Sequence, residues 1–373
     1  MANTPPLGNR LPGRLPALDG VRGLAIGLVL AWHCLHQLLF KAAQPGTWAF
    51  HVYRWTNLAW SGVDLFFVLS GFLITKVILE NRDSPRLLRT FYWRRACRIL
   101  PLYYIVVGAV FLARYELPSS DLWRQLFGGQ LPWQSYVTLT QNFAMGTANT
   151  YGGDALAVTW SLAVEEQFYL VLPIVIRFLP KRYLPWLFAA GIPWAYLVRM
   201  HFHNLNSYVL APDHADSLLT GCLLAWICLQ PAAYNWLKNQ GRGLTLLLGF
   251  LAAGLALINQ MPDYFNQTIP SWLTLFFGTL VLIAATQPNH PIAKLLEIRG
   301  LKFLGAISYG VYLFHFPMQN MLYWLLKGTT PEILIAGDLY LPVLVVTASI
   351  VAASLSWFLY EKHWVKLGHR LKF

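Results

Sequence analysis

Two long runs without a charged residue constrain this chain more than any other feature. Gly23 to Phe40 and Leu341 to Tyr360 contain no Asp, Glu, Lys or Arg. Each run is close to the length of a membrane span, because a bilayer core about 30 Å thick needs about 20 residues of helix. The 373 residues are 56% hydrophobic and only 12% charged, about half the charged fraction of a soluble domain. This composition excludes a soluble enzyme, a secreted disulfide scaffold and a disordered chain.

Ten apolar stretches predict an all-α polytopic membrane protein with about ten transmembrane helices. They lie near residues 23–40, 62–79, 99–113, 156–176, 183–199, 214–230, 244–259, 271–286, 304–325 and 339–360. The connection from Arg114 to Ala155 is long, and the part near 131–150 is apolar enough to form a re-entrant segment. We expect residues 1–373 to form a single integral membrane domain without a soluble extracytoplasmic module.

The basic residues predict the orientation of the chain. Of the 28 Lys and Arg residues, 21 fall on the side that holds both termini, six fall on the other side, and Lys76 lies within a span. By the positive-inside rule, both termini are therefore expected in the cytoplasm. Because topology accounts for most of the formal net charge of +12, no nucleic-acid partner is expected.

The cysteines do not predict a metal site. Cys34, Cys97, Cys222 and Cys228 lie in or beside apolar segments and form no C-x-x-C pair. We interpret them as small buried hydrophobic side chains and expect no metal cofactor.

The first span carries a cation and a histidine on one helix face. Arg22 and His33 are eleven residues apart, which is about three turns and a rise of roughly 16 Å. Arg22 is expected at the cytoplasmic edge and His33 near the midplane. Ionisable groups at that depth are costly and usually functional. The alternative is a histidine that only hydrogen-bonds neighbouring helices.

Two adjacent carboxylates enter the membrane from the other side. Glu165 and Glu166 are eight or nine residues into a predicted helix, about 13 Å deep, where His33 would also lie. A carboxylate partner holds an imidazole in one tautomer and makes it a better general base. Neighbouring residues are 100° apart on a helix, so only one carboxylate can face His33. The alternative is a structural ion pair between helices.

A second histidine is predicted at the same depth. His315 lies about eleven residues into the ninth span, two residues before Pro317. It is a further catalytic candidate. Its structural alternative is to cap a backbone carbonyl that the proline leaves free.

Three polar residues near the external ends of spans are candidates for binding a hydroxylated ligand. Asp64 opens the second span, and His214 and Asp216 open the sixth. An external polar contact or a helix cap explains them almost as well.

A basic cluster precedes the third span on the cytoplasmic side. Arg95 and Arg98 are three residues apart and share a helix face, which forms a fork suited to phosphate groups, whereas Arg94 points elsewhere. The alternative is a topology anchor or a contact with anionic lipids.

Five stretches, taken in order, resemble the acyltransferase-3 family of bacterial integral membrane O-acyltransferases over Leu18 to Lys362. They are LDGVRGLAIGLVLAWH, GVDLFFVLSGFLIT, FYWRRACRILPLYY, TWSLAVEEQFYLVLP and ISYGVYLFHFP. Each stretch alone is modest. Five in sequence, at matching positions in the topology, are highly specific.

The resemblance implies transfer of an acyl group from cytoplasmic acyl-CoA, such as acetyl-CoA, in the bacterial inner membrane. The acceptor is expected to be a hydroxyl of a cell-surface polysaccharide or a lipid-linked glycan. The family's motifs map onto the pairs Arg22 and His33, Arg95 and Arg98, and Glu165 and Glu166. One departure is His214, two residues before Asp216, where many members have arginine.

The expected mechanism uses one central cavity in the membrane. His33 acts as general base with Glu165 or Glu166 as its partner, and Tyr309 lies with the arginines that hold the donor. A two-step variant would place the acyl group on His33 or Ser70. The rival hypothesis is a transporter or flippase that uses the midplane His and Glu residues as a proton relay.

Overall fold

The computed structural model describes residues 15–116, 121–127, 131–201, 208–259 and 267–373. Arg10, Arg14 and most of the loop from 261 to 269 lie outside these ranges. Within them, every regular element is helical and none is a strand. The α-helices are α1 Pro16–Ala31, α2 Trp48–Trp55, α3 Gly62–Glu80, α4 Leu87–Glu116, α5 Asp121–Phe127, α6 Trp133–Val137, α7 Gln141–Ala148, α8 Thr159–Phe178, α9 Leu184–His201, α10 Ala215–Cys228, α11 Pro231–Lys238, α12 Gly241–Ile258, α13 Ile269–Thr286, α14 Pro291–Leu296, α15 Arg299–Lys327, α16 Tyr340–Ser356 and α17 Lys362–Arg370.

All ten predicted stretches lie on helices, and the all-α polytopic class is confirmed. Seven helical segments in the described part are long and apolar enough to cross a membrane: Pro16–Leu39, Trp48–Glu80, Leu87–Arg114, Asp154–Phe178, Gly241–Ile258, Ile269–Thr286 and Ala336–Arg370. The pair formed by α10 and α11, bent by 96°, adds an eighth if it counts as one span. The other two predicted stretches correspond to α9 and α15. The chain is therefore a multi-pass membrane protein.

Glycines let the central helices pack backbone to backbone. The first helix, α1, packs against α3, α13 and α15, and α3 packs against α10. A Cβ atom on Gly305 of α15 would lie 1.8 Å from the carbonyl oxygen of Asp19, and one on Gly71 of α3 would lie 2.0 Å from that of Leu218. Only glycine permits such approaches.

The segment predicted to be re-entrant contains two short helices, α6 and α7. The hydroxyl of Tyr103 donates to the Tyr136 carbonyl at 2.9 Å, and Gln167 donates to the Leu139 carbonyl at 3.0 Å. Tyr103 and Gln167 lie part-way along α4 and α8 rather than at their ends. Side chains of α4 and α8 therefore bond two backbone carbonyls of this segment, and its re-entrant position stays a prediction.

Candidate active site

Two cavities lie among α1, α3, α8 and α15. The arginine cavity is lined by Arg22, Ser70, Arg95, Arg98, Glu165 and Tyr309, among others. The histidine cavity is lined by His33, Trp60, Asp154, Trp160, Tyr208 and Gln319, among others.

Three guanidinium groups from two helices converge on the arginine cavity. Arg22 comes from α1 and donates to Asp19 Oδ1 at 3.0 Å, whereas Arg95 and Arg98 come from α4. The Arg95 guanidinium lies 4.9 Å from the centre of the Tyr169 ring. Within the described ranges, neither Arg95 nor Arg98 lies within 4.0 Å of a carboxylate oxygen. The fork is therefore available to bind an anion.

The neighbouring Arg94 is directed away from the cavity, as predicted. Its Nε and Nη2 donate to the Leu371 carbonyl at 3.1 and 2.9 Å, and its guanidinium lies over the ring of Phe373. Tyr309 lies in the cavity with the arginines. Its hydroxyl donates to the Ile99 carbonyl at 2.7 Å, which ties α15 to the arginine helix α4.

The carboxylates lie elsewhere than predicted. Glu165 lines the arginine cavity and accepts hydrogen bonds from the hydroxyls of Ser70 and Tyr169. Glu166 is half-buried, and its buried Oε1 has no hydrogen-bond partner in the described part of the chain. The hydrogen-bond partner of His33 is instead His315. The predicted pairing of His33 with Glu165 or Glu166 is therefore wrong, because depth along a helix does not determine which neighbour a side chain faces.

His33 and His315 form a hydrogen-bonded pair with a defined proton arrangement. His315 Nδ1 lies 2.7 Å from the Tyr312 carbonyl, which can only accept, so Nδ1 carries the hydrogen. His315 Nε2 is then the acceptor for His33 Nδ1 at 3.1 Å. This leaves His33 Nε2 with a free lone pair on an imidazole that lines the histidine cavity. The arrangement suits a general base.

Local backbone geometry helps to position the pair. His33 lies in a π-helical turn, Trp32–His36, at the end of α1, and such turns are frequent at functional sites. His315 is fully buried. Its carbonyl partner belongs to Tyr312, whereas Pro317 removes the hydrogen bond to the carbonyl of residue 313. His315 therefore does not cap the carbonyl that the proline leaves free.

The two cavities share a wall. Val63 of α3 and Tyr312 of α15 line both of them. The Tyr312 hydroxyl is held by Ser161 Oγ at 2.5 Å and by the Val158 carbonyl at 2.7 Å. The prediction of one central cavity is wrong in this respect. Arg22 lies on α1 and His33 in the π-helical turn that follows it, but they line different cavities.

The three predicted ligand-binding residues meet in one buried network. His214 Nδ1 lies 3.5 Å from Asp64 Oδ1, and its Nε2 lies 2.8 Å from the Tyr208 carbonyl. Asp216 pairs with Arg199 and accepts from Ser271 Oγ at 2.9 Å. Asp64, His214 and Asp216 line neither the arginine nor the histidine cavity. In this structure, other protein groups hold the polar atoms of these three residues, and their role in binding a ligand stays a prediction.

Sequence reasoning missed Arg199 and the aromatic wall of the histidine cavity. Arg199 is 3% exposed and pairs with Asp216. Trp160 and Tyr208 line the cavity, and the His214 ring stands behind them at 5.1 and 5.2 Å. These rings come from separate segments, so no spacing in the sequence could reveal them.

In the described ranges, no three His, Cys, Asp or Glu side chains are arranged to hold a metal ion. The polar groups at the two cavities instead form the arginine fork and the histidine pair.

Comparison with known proteins gives a consistent result. O-acetyltransferase OatA of Staphylococcus aureus is 29% identical over 332 residues, covering 82% of this chain and 51% of the relative. Peptidoglycan O-acetyltransferase OatA of Listeria monocytogenes is 26% identical over 92% of this chain and 54% of the relative. The putative peptidoglycan O-acetyltransferase YrhL of Bacillus subtilis is 27% identical over 93% of this chain and 54% of the relative.

The chain spans about half the length of these curated relatives. No solved structure matches it. The family model described as "Acyltransferase domain" matches residues 15–361, which include both cavities and their shared wall. On this match, and on the motifs that now lie around one pair of cavities, the chain belongs to the acyltransferase-3 family.

Proposed function

We propose that this protein is a membrane O-acyltransferase that transfers an acetyl group from acetyl-CoA to a hydroxyl of a cell-surface glycan. The observation that carries the proposal is the shared wall of Val63 and Tyr312, with an anion-binding fork on one side and an imidazole base on the other. Such an arrangement brings a charged donor and a neutral acceptor together from opposite directions.

The arginine cavity is the proposed donor site. Guanidinium groups bind phosphates through paired hydrogen bonds. Among the described residues, no carboxylate oxygen lies within 4.0 Å of Arg95 or Arg98 that a phosphate would have to displace. Most basic residues of the chain lie at the predicted cytoplasmic ends of the helices. Arg22, near the start of α1, and the first turns of α4 are at such ends. The donor phosphates would bind there while the pantetheine arm extends toward the wall.

The histidine cavity is the proposed acceptor site. His33 Nε2 takes the hydroxyl proton as the acceptor oxygen bonds to the thioester carbonyl carbon. The tetrahedral intermediate then collapses, the carbon–sulfur bond breaks, and the proton passes from Nε2 to the leaving thiolate. His315 positions His33 through their hydrogen bond. Acetyl transfer would thus cross the wall between the two cavities, in the bacterial inner membrane.

The names of the relatives support a glycan acceptor, since two of them are called peptidoglycan O-acetyltransferases. Aromatic side chains such as Trp60, Trp160 and Tyr208 give the histidine cavity flat apolar surfaces beside its polar groups. A sugar ring combines apolar C–H faces with hydroxyl edges. A cell-surface polysaccharide or a lipid-linked glycan therefore suits this cavity.

Labelled acetyl-CoA tests the proposal directly. Membranes that contain the protein should place the label in an alkali-labile ester on glycan, and membranes with His33→Gln should not. Movement of a glycan across the membrane without donor would contradict the proposal and support a transporter. In intact cells, a thiol reagent added outside should not label Arg86→Cys, because position 86 is predicted on the cytoplasmic side. Labelling of this cysteine would contradict binding of the donor from the cytoplasm.

A further inference from the structure

Gln319 presents an unpaired polar atom in the wall of the histidine cavity. The residue is 3% exposed, and its Oε1 has no hydrogen-bond partner within the described part of the chain. It lines the cavity that His33 also lines. Gln319 follows His315 by four residues on α15, so both side chains lie on one helix face. Gln319 therefore lines the same cavity as His33, on the helix that carries His315.

A buried amide without a partner is unusual, because desolvating a polar group is unfavourable unless a hydrogen bond replaces the lost water. Two neighbouring groups are already committed elsewhere. The Asn320 amide donates to the Leu126 carbonyl at 2.8 Å, and His315 is bonded at both ring nitrogens. The partner that Gln319 lacks is thus a group that enters the cavity.

We propose that Gln319 binds a second hydroxyl of the acceptor, beside the hydroxyl that His33 deprotonates. This inference rests on the proposed function and adds a requirement to it: the acceptor carries two hydroxyls within reach of each other. A hydroxyl both donates and accepts, so it pairs with the amide in either orientation of the side chain. A sugar meets this requirement, whereas a simple monohydric alcohol does not.

Discrimination between acceptors provides the first test. The full chain in lipid nanodiscs is given acetyl-CoA with a methyl glycoside, with each of its monodeoxy analogues, or with methanol. For wild type, removing the second hydroxyl should lower kcat/KM by about 10- to 100-fold, since the buried amide is then left unpaired. Gln319→Met keeps the size of the side chain but loses the amide. In this variant, kcat/KM for the glycoside and kcat/KM for the deoxy analogue should be about equal. Transfer to methanol should fall less in Gln319→Met than transfer to the glycoside does.

Gln319→Glu is the matched control, because it keeps an oxygen at the same place and should retain the discrimination. If Gln319→Met discriminates against the same deoxy analogue as strongly as wild type, the inference is overturned. If Gln319→Met slows transfer to methanol and to the glycoside equally, the residue is structural and the inference is again overturned.

Equilibrium binding separates this inference from the proposed reaction. Calorimetric titration of the glycoside and its deoxy analogues requires no acyl transfer. Selective binding that wild type shows and Gln319→Met loses supports the role of Gln319 even if no acetyl ester forms, in which case the proposed reaction alone fails. Equal binding of every analogue by wild type overturns the role of Gln319 even if acetyl transfer is observed.

Discussion

The arginine and histidine cavities are separated by a single wall and differ in how their polar groups are held. Arg95 has an aromatic ring beside it and, with Arg98, lacks a carboxylate partner within the described part of the chain, so the fork can bind an incoming anion. His33 is held by His315, which is held in turn by a backbone carbonyl. In the proposed reaction, the first cavity binds the charged donor and the second orients the proton acceptor.

This difference explains why neither cavity is sufficient alone for the proposed reaction. Binding a polyanionic donor needs mobile cations in a space open to water. Removing a hydroxyl proton needs an imidazole fixed in one tautomer. The wall of Val63 and Tyr312 allows the two requirements to be met a short distance apart.

The largest expected effect comes from the histidine side. His33→Gln keeps hydrogen-bonding capacity but removes the base, so acetyl transfer should fall by about 10²–10⁴-fold while acetyl-CoA binding is retained. Radiolabelled transfer and donor binding in purified protein measure the two quantities. His36→Gln is the matched control, because His36 lies in the same π-helical turn but bonds to Tyr53 and Thr56. Near-normal turnover in His33→Gln would remove His33 from the mechanism and favour His315.

The next largest effect should come from closing the shared wall. Val63→Trp adds bulk between the cavities and should slow acetyl transfer by about 10²-fold, because a small displacement of reacting groups is costly in rate. Acetyl-CoA affinity should change little. Val343→Trp, at a position that is 66% exposed, controls for the added ring. Unimpaired transfer in Val63→Trp would show that the acetyl group does not pass this wall.

The arginine side should affect donor affinity rather than the chemical step. Arg95→Ala and Arg98→Ala should each weaken acetyl-CoA binding by about 1.5–3 kcal/mol, as expected for hydrogen bonds to charged groups. The loss should be smaller for a donor that lacks the 3′-phosphate and adenosine. Arg94→Ala is the control, since Arg94 bonds to the Leu371 carbonyl. If wild type and a folded Arg95/Arg98 double variant bind acetyl-CoA equally well, the two arginines only help to set the orientation of the chain in the membrane.

The smallest effect on acetyl transfer is expected from Gly71, which lies on α3, the helix whose Val63 lines both cavities. Gly71→Val forces its Cβ against the Leu218 carbonyl and should destabilise the protein by about 1–3 kcal/mol. Gly108→Val is the matched control, because no atom lies within 4 Å of the Cβ position there. Thermal unfolding in detergent measures both. If Gly71→Val loses acetyl transfer but unfolds at the same temperature as wild type, this packing role is contradicted.

Local features were predictable from the sequence. Helix positions follow from apolar length, and the shared face of Arg95 and Arg98 follows from their spacing of three residues. The partner of His33 was not predictable in the same way. His315 is 282 residues away, and Glu165, at a similar expected depth, lines a different cavity. Depth depends on position along one helix, whereas the facing residue depends on how each helix is rotated against its neighbours.

The sequence by itself determined that this chain spans a membrane, where its helices lie, and which residue types reach membrane depth. These properties are set by the free energy of placing each segment in lipid, which is nearly additive along the chain. Only the tertiary structure decided that the site is divided by Val63 and Tyr312, that Arg199 pairs with Asp216, and that Gln319 is left unpaired. Those outcomes depend on packing between distant segments, because a side chain's partner is whatever group the rotation of two helices brings within hydrogen-bond distance.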